Sequence, residues 1–364
     1  MRIPNTLGNS DNLSETEQRN PLDFFNNVYE LYEKAEVSAG GCIDRFYCIA
    51  GFKIRLRFAG AALIPYMTPA LAHLETEPFS DPALTVCLWD SASTNTVMPP
   101  PPWQRNDYHP KRGEIKGFNT DRIHTSFQWG AYALSLLDRD RNLGIYWVDS
   151  IKQIPYWETG ACLRTIFHIW MSQHQIQLVH AGAVGLPSGG VLLVGKGGSG
   201  KSTTALACLN SEFFYASDDY SLITAEPKPT AFSIYSTGKK NADDIERLPF
   251  LAAAISNRDR LDSEKAVYFL NDYFPNKIIS TFPLRALLIP RITGKPNTTL
   301  TPTSTATGLA ALVPSTIMQL SGAGKEACEI MTNVVNQLQC YYLELGTDIE
   351  QIPQVIFEFL SQNK

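Results

Sequence analysis

The order of apolar and polar residues predicts one helix and then several strands in the first half of the chain. Residues 21–36 carry apolar side chains such as Phe25, Val28 and Tyr32 at helical spacing, which predicts an amphipathic helix. Beyond them, apolar residues alternate with polar ones, which is the period of a half-buried strand. On this basis strands are predicted at 47–58, 84–89, 124–137 and 143–148, with 138–142 as a hairpin loop.

In the second half, short apolar runs alternate with helical patterns. An amphipathic helix is predicted at 158–175. Further strands are predicted at 191–194, 213–216, 285–289 and 340–345, and further helices at 202–210, 308–319, 326–337 and 352–360. Strands that alternate with helices indicate an α/β layer fold.

The change of pattern places a domain boundary between residues 157 and 158. We predict a β-rich α+β N-terminal domain over 21–157, followed by an α/β domain with a mixed sheet and flanking helices over 158–364. Residues 1–20 are polar and rich in Asn, Ser and Glu, so they are predicted to form a disordered tail.

Composition narrows the class of partner. Of the 364 residues, 44% are apolar and 18% charged, and the net charge of −5 provides no basic field for nucleic acid or an anionic membrane. No apolar run is long enough for a transmembrane helix, and residues 1–20 lack the charged-then-apolar pattern of a signal peptide. The seven cysteines are odd in number and never spaced C-x-x-C. We therefore expect a cytoplasmic protein with free, buried thiols.

One motif carries recognisable chemistry. It matches the pattern G-x-x-x-x-G-K-[ST], follows the apolar strand 191–194 and opens a helix, which is the context of a phosphate-binding P-loop. Its residues are Gly195, Lys196, Gly197, Gly198, Ser199, Gly200, Lys201 and Ser202, with Thr203 next in the helix. Three other Gly-Lys fragments, at 237–240, 293–295 and 322–325, lack this spacing and are predicted to be loops.

The P-loop predicts binding of ATP with Mg²⁺. Backbone N–H groups of residues 195–203 and the helix N-terminus would surround the phosphates, and the glycines allow close approach. Lys201 would reach the β- and γ-phosphates, and the Ser202 hydroxyl would ligate Mg²⁺. The motif alone leaves hydrolysis, kinase chemistry and a nucleotide switch open.

Two adjacent carboxylates narrow these alternatives. Asp218 and Asp219 follow the end of the predicted strand 213–216, which comes one short helix after the P-loop. One can help to hold Mg²⁺ while the other faces an acceptor, although such a pair is also common in turns. Which of the two would be the base and which the metal ligand stays open. His180, one strand before the P-loop strand, is a further candidate, although a lone histidine is usually structural.

The ordered set of His180, Gly195–Ser202 and the Asp218-Asp219 pair resembles the kinase domain of the HPr kinase/phosphorylase family. It is most similar to members that act outside sugar regulation, such as kinases of lasso-peptide precursors. The resemblance covers residues 178–364 and implies a phosphoenolpyruvate carboxykinase-like P-loop fold that phosphorylates a seryl hydroxyl. It also implies that Asp218 is the general base, that Asp219 assists the metal or holds His180, and that His180 acts at the transferring phosphoryl group.

The sequence departs from that family in two places. Residues 236–249, which include Lys239 and Lys240, stand where the second family signature would be, and a solvated loop is the simpler interpretation there. The N-terminal domain also differs. We therefore expect a Mg-ATP-dependent kinase of a seryl hydroxyl on a protein or peptide other than HPr, with homo-oligomerisation left open. The alternatives are a kinase of a small hydroxylated metabolite and a nucleotide switch without an acceptor.

Overall fold

The computed structural model describes residues 20–109 and 112–362. The predicted tail therefore lies, up to residue 19, outside the described residues. Within them the chain is an α/β protein with mixed sheets. None of its described helices combines the length and apolar character needed to cross a membrane. The seven cysteines are free, and four of them are buried.

The first half forms a six-stranded mixed sheet in the order β1-β2-β3-β6-β5-β4. Its strands are β1 Cys42–Ile49, β2 Phe52–Ala59, β3 Leu84–Asp90, β4 Ile123–Gln128, β5 Ala133–Asp138 and β6 Leu143–Val148. Three helices belong to this half, namely α1 Pro21–Ser38, α2 Ile64–Met67 and α3 Ser91–Thr94. Helix α1 begins at a proline after Asn20, whose side-chain oxygen accepts from the N–H groups of Leu22 and Asp23.

The second half forms a nine-stranded mixed sheet and a two-stranded ribbon. The strands of the large sheet are β7 Gln177–Val179, β8 Gly182–Leu186, β9 Gly189–Leu193, β10 Phe214–Ser217, β11 Ser221–Thr224, β12 Thr230–Phe232, β15 Thr281–Ile292, β16 Thr299–Thr303 and β17 Gln339–Leu345. The ribbon pairs β13 Thr237–Lys240 with β14 Ala266–Phe269. The long strand β15 runs parallel to both β9 and β17, which places the strand before the P-loop inside the sheet.

The helices of the second half flank these sheets. They are α4 Tyr156–Thr159, α5 Arg164–Ser172, α6 Lys201–Ala207, α7 Leu270–Tyr273, α8 Thr305–Ile317, α9 Lys325–Val335 and α10 Gln351–Gln362. Short 3-10 helices include Pro69–Leu74, Cys208–Asn210, Ala242–Arg247 and Pro249–Ala254. The predicted helices near 202–210, 308–319, 326–337 and 352–360 are confirmed to within a few residues.

One apolar core crosses the predicted domain boundary. The largest buried cluster includes Leu56 and Tyr146 of the first sheet together with Phe167 of α5 and Leu178 of β7. Helix α5 lies so close to β6 that a Cβ on Gly144 would stand 3.0 Å from Ile166 Cγ2. The division at 157/158 remains a prediction, and the packing shows that the two halves share their interior.

Three predicted elements are interrupted in the structure. Residues 47–58 form two strands because Ala50 and Gly51 turn the chain with positive φ values of 49° and 86°. Residues 124–137 likewise form the hairpin β4–β5. The predicted helix 158–175 is shorter and begins at Arg164, because Leu163 adopts a φ of 56° directly before it. The spacing of apolar residues does not reveal these turns, because apolar residues occur on both sides of each turn without a break.

Candidate functional site

The P-loop connects β9 to α6 and has a strongly bent backbone. Gly195, Gly198 and Gly200 have positive φ values of 139°, 78° and 108°. The Lys201 Nζ donates to the Gly195 carbonyl at 2.6 Å and to the Lys196 carbonyl at 3.3 Å, which holds the ammonium against the loop. Burial lowers the pKa of Lys201, while Asp219 and Asp218 oppose that effect.

The loop leaves space where phosphates would approach. A Cβ on Gly197 or Gly198 would meet no atom within 4 Å, whereas a Cβ on Gly200 would collide with Leu345 Cδ1 of β17. Lys196, Gly197 and Gly198 form the exposed tip, and Ser202 and Thr203 in the first turn of α6 are half-buried. The buried Ser199 Oγ has no hydrogen-bond partner within the described part of the chain.

The turn between β10 and β11 carries the two carboxylates, and hydroxyl groups anchor it. Ser217 and Ser221 both donate to the Ala181 carbonyl, and their hydroxyls also contact each other. Strand β11 pairs with β7 so that Ser221 lies opposite Val179, and β10 pairs with β8. Because His180 lies between β7 and β8, this pairing brings it beside the turn.

Asp218 is almost fully buried, with 1% of its surface exposed. Its Oδ2 accepts from the backbone N–H of Lys239 at 3.0 Å, and its Oδ1 has no hydrogen-bond partner among the described residues. Burial and the neighbouring Asp219 charge raise the pKa of Asp218 to about 7, against the lowering effect of Lys239 and the Ser202 hydroxyl. A carboxylate with a pKa near neutrality is suited to accept a proton.

Asp219 is held by two partners. Its Oδ1 lies 3.1 Å from His180 Nε2, and its Oδ2 accepts from the Lys239 Nζ at 3.0 Å. Burial alone would raise the pKa of Asp219, but the Lys239 charge and the His180 hydrogen bond lower it overall. Asp219 therefore stays ionised and fixed in place, while Asp218 can exchange a proton.

A chain of hydrogen bonds fixes the orientation of His180. Arg164 Nη1 donates to the Tyr220 hydroxyl at 2.9 Å, and that hydroxyl donates to Gln319 Oε1 at 2.7 Å. The Gln319 amide nitrogen then faces His180 Nδ1 at 3.0 Å, so Nδ1 accepts. In the neutral ring the proton consequently lies on Nε2 and points to Asp219.

Basic side chains dominate the cavity of about 170 Å³ over the P-loop. Its charged lining residues are Lys201, Lys239, Lys240, Arg247 and Lys265 against Asp219 and Asp244. This excess of positive charge and the open loop tip are suited to binding the phosphates of a nucleoside triphosphate. Ser202 and Asp219 both line the cavity and fit Mg²⁺, most of whose ligands would be phosphate and water oxygens. No cluster of three or more His, Cys, Asp or Glu side chains in residues 20–109 and 112–362 forms a separate metal site.

The structure corrects one prediction at this site. The fragment at 237–240 is strand β13 rather than a loop, and the side chains of Lys239 and Lys240 are only 9% and 4% exposed. Lys240 Nζ donates to Thr203 Oγ1 at 2.8 Å, next to the P-loop. The sequence around the two lysines does not alternate apolar and polar residues, so it predicts no strand there. Strand β13 forms by pairing with β14, and this pairing brings both lysines to the site. The fragments at 293–295 and 322–325 are loops as predicted, up to the start of α9.

Comparisons with known proteins add little to this geometry. No protein-family model and no curated protein sequence matches the chain. Among solved structures, the HPr(Ser) kinase/phosphatase from Coxiella burnetii matches at 11% identity, over 51% of this chain and 97% of that chain. The TM-score is 0.31, which is too low to establish a common fold.

Proposed function

We propose that this protein is a Mg-ATP-dependent phosphotransferase that phosphorylates a hydroxyl group, in the first place a seryl hydroxyl of a protein or peptide. The observation that carries the proposal is Asp218, a buried carboxylate with a raised pKa and an unpartnered Oδ1, next in sequence to Asp219 in the lining of the basic P-loop cavity. A nucleotide switch has no need of such a base. Neither a nucleic acid nor a membrane is required as a partner.

In the proposed reaction, the acceptor oxygen bonds to the γ-phosphorus while the bond from that phosphorus to the β–γ bridging oxygen breaks. The hydroxyl proton passes to Asp218, and ADP is the second product. Lys201 and Lys240 bind the phosphates, and His180, with its Nε2 proton held toward Asp219, lies beside the site of transfer. Mg²⁺ held by Ser202 and Asp219 would neutralise phosphate charge.

The test of the base is phosphoryl transfer from γ-labelled ATP to proteins in an extract of the source cells. Asp218→Asn should lower transfer by about 10²–10⁴-fold, because a positioned base contributes that much, and should leave ATP binding nearly unchanged. Asp272→Asn, an exposed aspartate of α7, is the matched control. Near-normal transfer by Asp218→Asn would refute the assignment of the base.

The P-loop has its own test. Lys201→Ala should weaken ATP binding itself, measured by titration calorimetry, because the ammonium is a direct phosphate contact in the proposal. Unchanged ATP affinity would count against the P-loop assignment. If the wild-type protein binds ATP but labels no acceptor, the nucleotide-switch alternative takes precedence.

A further inference from the structure

A second cavity adjoins the one over the P-loop. It has a volume of about 320 Å³. Asp219, Lys239 and Lys265 line both cavities, so the two meet at the site of the proposed transfer. Gln128 at the end of β4 and Trp157 of α4 form part of its wall.

Basic side chains outnumber acidic ones in the lining of this second cavity. Asp219 is the carboxylate in its lining, and both oxygens of that group already have partners, His180 and Lys239. The basic groups Arg164 and Lys265 also line it. Neither has a carboxylate oxygen within 4.0 Å among the described residues, since no ion pair involves them. Asp219 and the buried Glu158 attract the Arg164 charge without forming an ion pair with it, and the lining holds three basic groups against one carboxylate.

Arg164 is the basic group that belongs to this cavity alone. Its Nη1 donates to the Tyr220 hydroxyl, and its guanidinium carbon lies 5.0 Å from the centre of the Tyr220 ring. These contacts hold the guanidinium still, while its remaining N–H groups stay available for a ligand. A fixed guanidinium matches the two oxygens of a carboxylate or the oxygens of a phosphate group.

We infer that the second cavity binds the acceptor, and that the acceptor carries an anionic group, such as a carboxylate, close to the hydroxyl that is phosphorylated. Arg164 binds the anionic group, and the hydroxyl faces Asp219 and the P-loop cavity. The inference rests on the proposed phosphotransferase function and adds the chemistry of its substrate. The transfer keeps the balance given above: the hydroxyl oxygen gains the phosphoryl group, and its proton passes to Asp218.

The anionic group has two possible sources, and the experiment separates them. One arm offers short peptides in which serine is followed by Glu, Gln or Lys. The other arm offers small hydroxy acids, L-serine and glycerate, with glycerol as the uncharged counterpart. Transfer of label from γ-labelled ATP is measured for each. We expect the anionic member of at least one arm to exceed its neutral counterpart in kcat/KM by about 10–100-fold.

Three variants assign that preference to Arg164. Arg164→Gln should remove the advantage of the anionic acceptor, and Arg164→Lys should restore part of it. Arg285→Gln is the matched control, because that arginine is exposed and its Nη2 donates to the Ser188 carbonyl. ATP affinity is measured for all three, so that a folding defect or a P-loop effect is recognised.

A binding measurement covers the case in which none of these acceptors is labelled. A non-hydrolysable ATP analogue and Mg²⁺ are present throughout. Glycerate or the Ser-Glu peptide is added stepwise while the tryptophan fluorescence is recorded, and the Trp157→Phe variant shows how much of the signal comes from Trp157. A saturable change that disappears in Arg164→Gln supports the inference. Equal use of anionic and neutral acceptors, or no saturable change, overturns it. Loss of ATP binding in the wild-type protein would instead refute the proposed function.

Discussion

Asp218 and Asp219 are neighbours in sequence with opposite electrostatic environments. The first is buried and has one unpartnered oxygen, whereas the second is held as a carboxylate between His180 and Lys239. Pairs of carboxylates whose pKa values are driven apart in this way divide the roles of proton acceptor and fixed charge between them.

The raised pKa of Asp218 sets the direction of the pH dependence. Because the proposed transfer needs the ionised carboxylate, its rate should rise with pH through about 7 and fall below it. Asp219→Asn removes the negative charge that helps to raise this pKa, so any residual activity should reach its plateau at lower pH. Single-turnover transfer between pH 5.5 and 8.5 measures both profiles, and a flat wild-type profile contradicts the expectation.

Gln319 should act as a positioning residue for His180. Gln319→Leu removes the donor to His180 Nδ1, so the proton is no longer confined to Nε2. We expect kcat to fall about tenfold with little change in the KM for ATP, since a misdirected proton affects the transferring group more than nucleotide binding. Nitrogen NMR of the imidazole would report the change of tautomer. Unaltered kcat and tautomer would show that Gln319 has no such role.

At the scale of elements, the close packing of the start of α6 against β17 requires a glycine at position 200. Gly200 has a φ of 108°, and a Cβ there would collide with Leu345. Gly200→Ala should lower the free energy of unfolding by about 1–3 kcal/mol through backbone strain and that collision. Gly197→Ala, which would contact nothing within 4 Å, should change stability by less than about 1 kcal/mol. Denaturant unfolding of both variants provides the measurement, and equal effects would contradict this expectation.

The elements also show what the sequence could and could not predict. Helix α1 and strands β3 and β6 have unbroken apolar periods, and their predictions are confirmed. The P-loop and the aspartate pair are local motifs, so their residues could be named in advance. Lys239 enters the site through the pairing of β13 with β14, and Gln319 reaches His180 across 139 positions. Such long-range contacts leave no local pattern to recognise.

At the scale of the molecule, two buried histidines make contacts in the shared interior. His124 of β4 contacts Ser321 after α8 and so joins the two halves, whereas His168 of α5 contacts Gln177 of β7 within the second half. Burial lowers the pKa of each to about 3. Because these folded-state values lie below the ordinary value of 6.5, the unfolded chain binds more protons, and stability is lost as the pH falls below about 6.5.

This linkage can be measured by urea unfolding at pH 7 and pH 5. Each buried histidine should contribute a loss of about 2 kcal/mol at pH 5, at about 1.4 kcal/mol per pH unit. His168→Gln should reduce the difference between the two pH values, and His109→Gln, at an exposed position, should not. Equal wild-type stability at both pH values would show that these histidines are not held neutral.

The apolar core that runs through both halves has a consequence for how such a protein can evolve. Helix α5 rests on Gly144 of the first sheet, and the residues around Leu178 share their interior with Leu56. A recombination event at residue 157 would cut through this core and expose both sides of it. New acceptor specificity should therefore arise by point substitutions around the second cavity rather than by exchange of whole N-terminal modules.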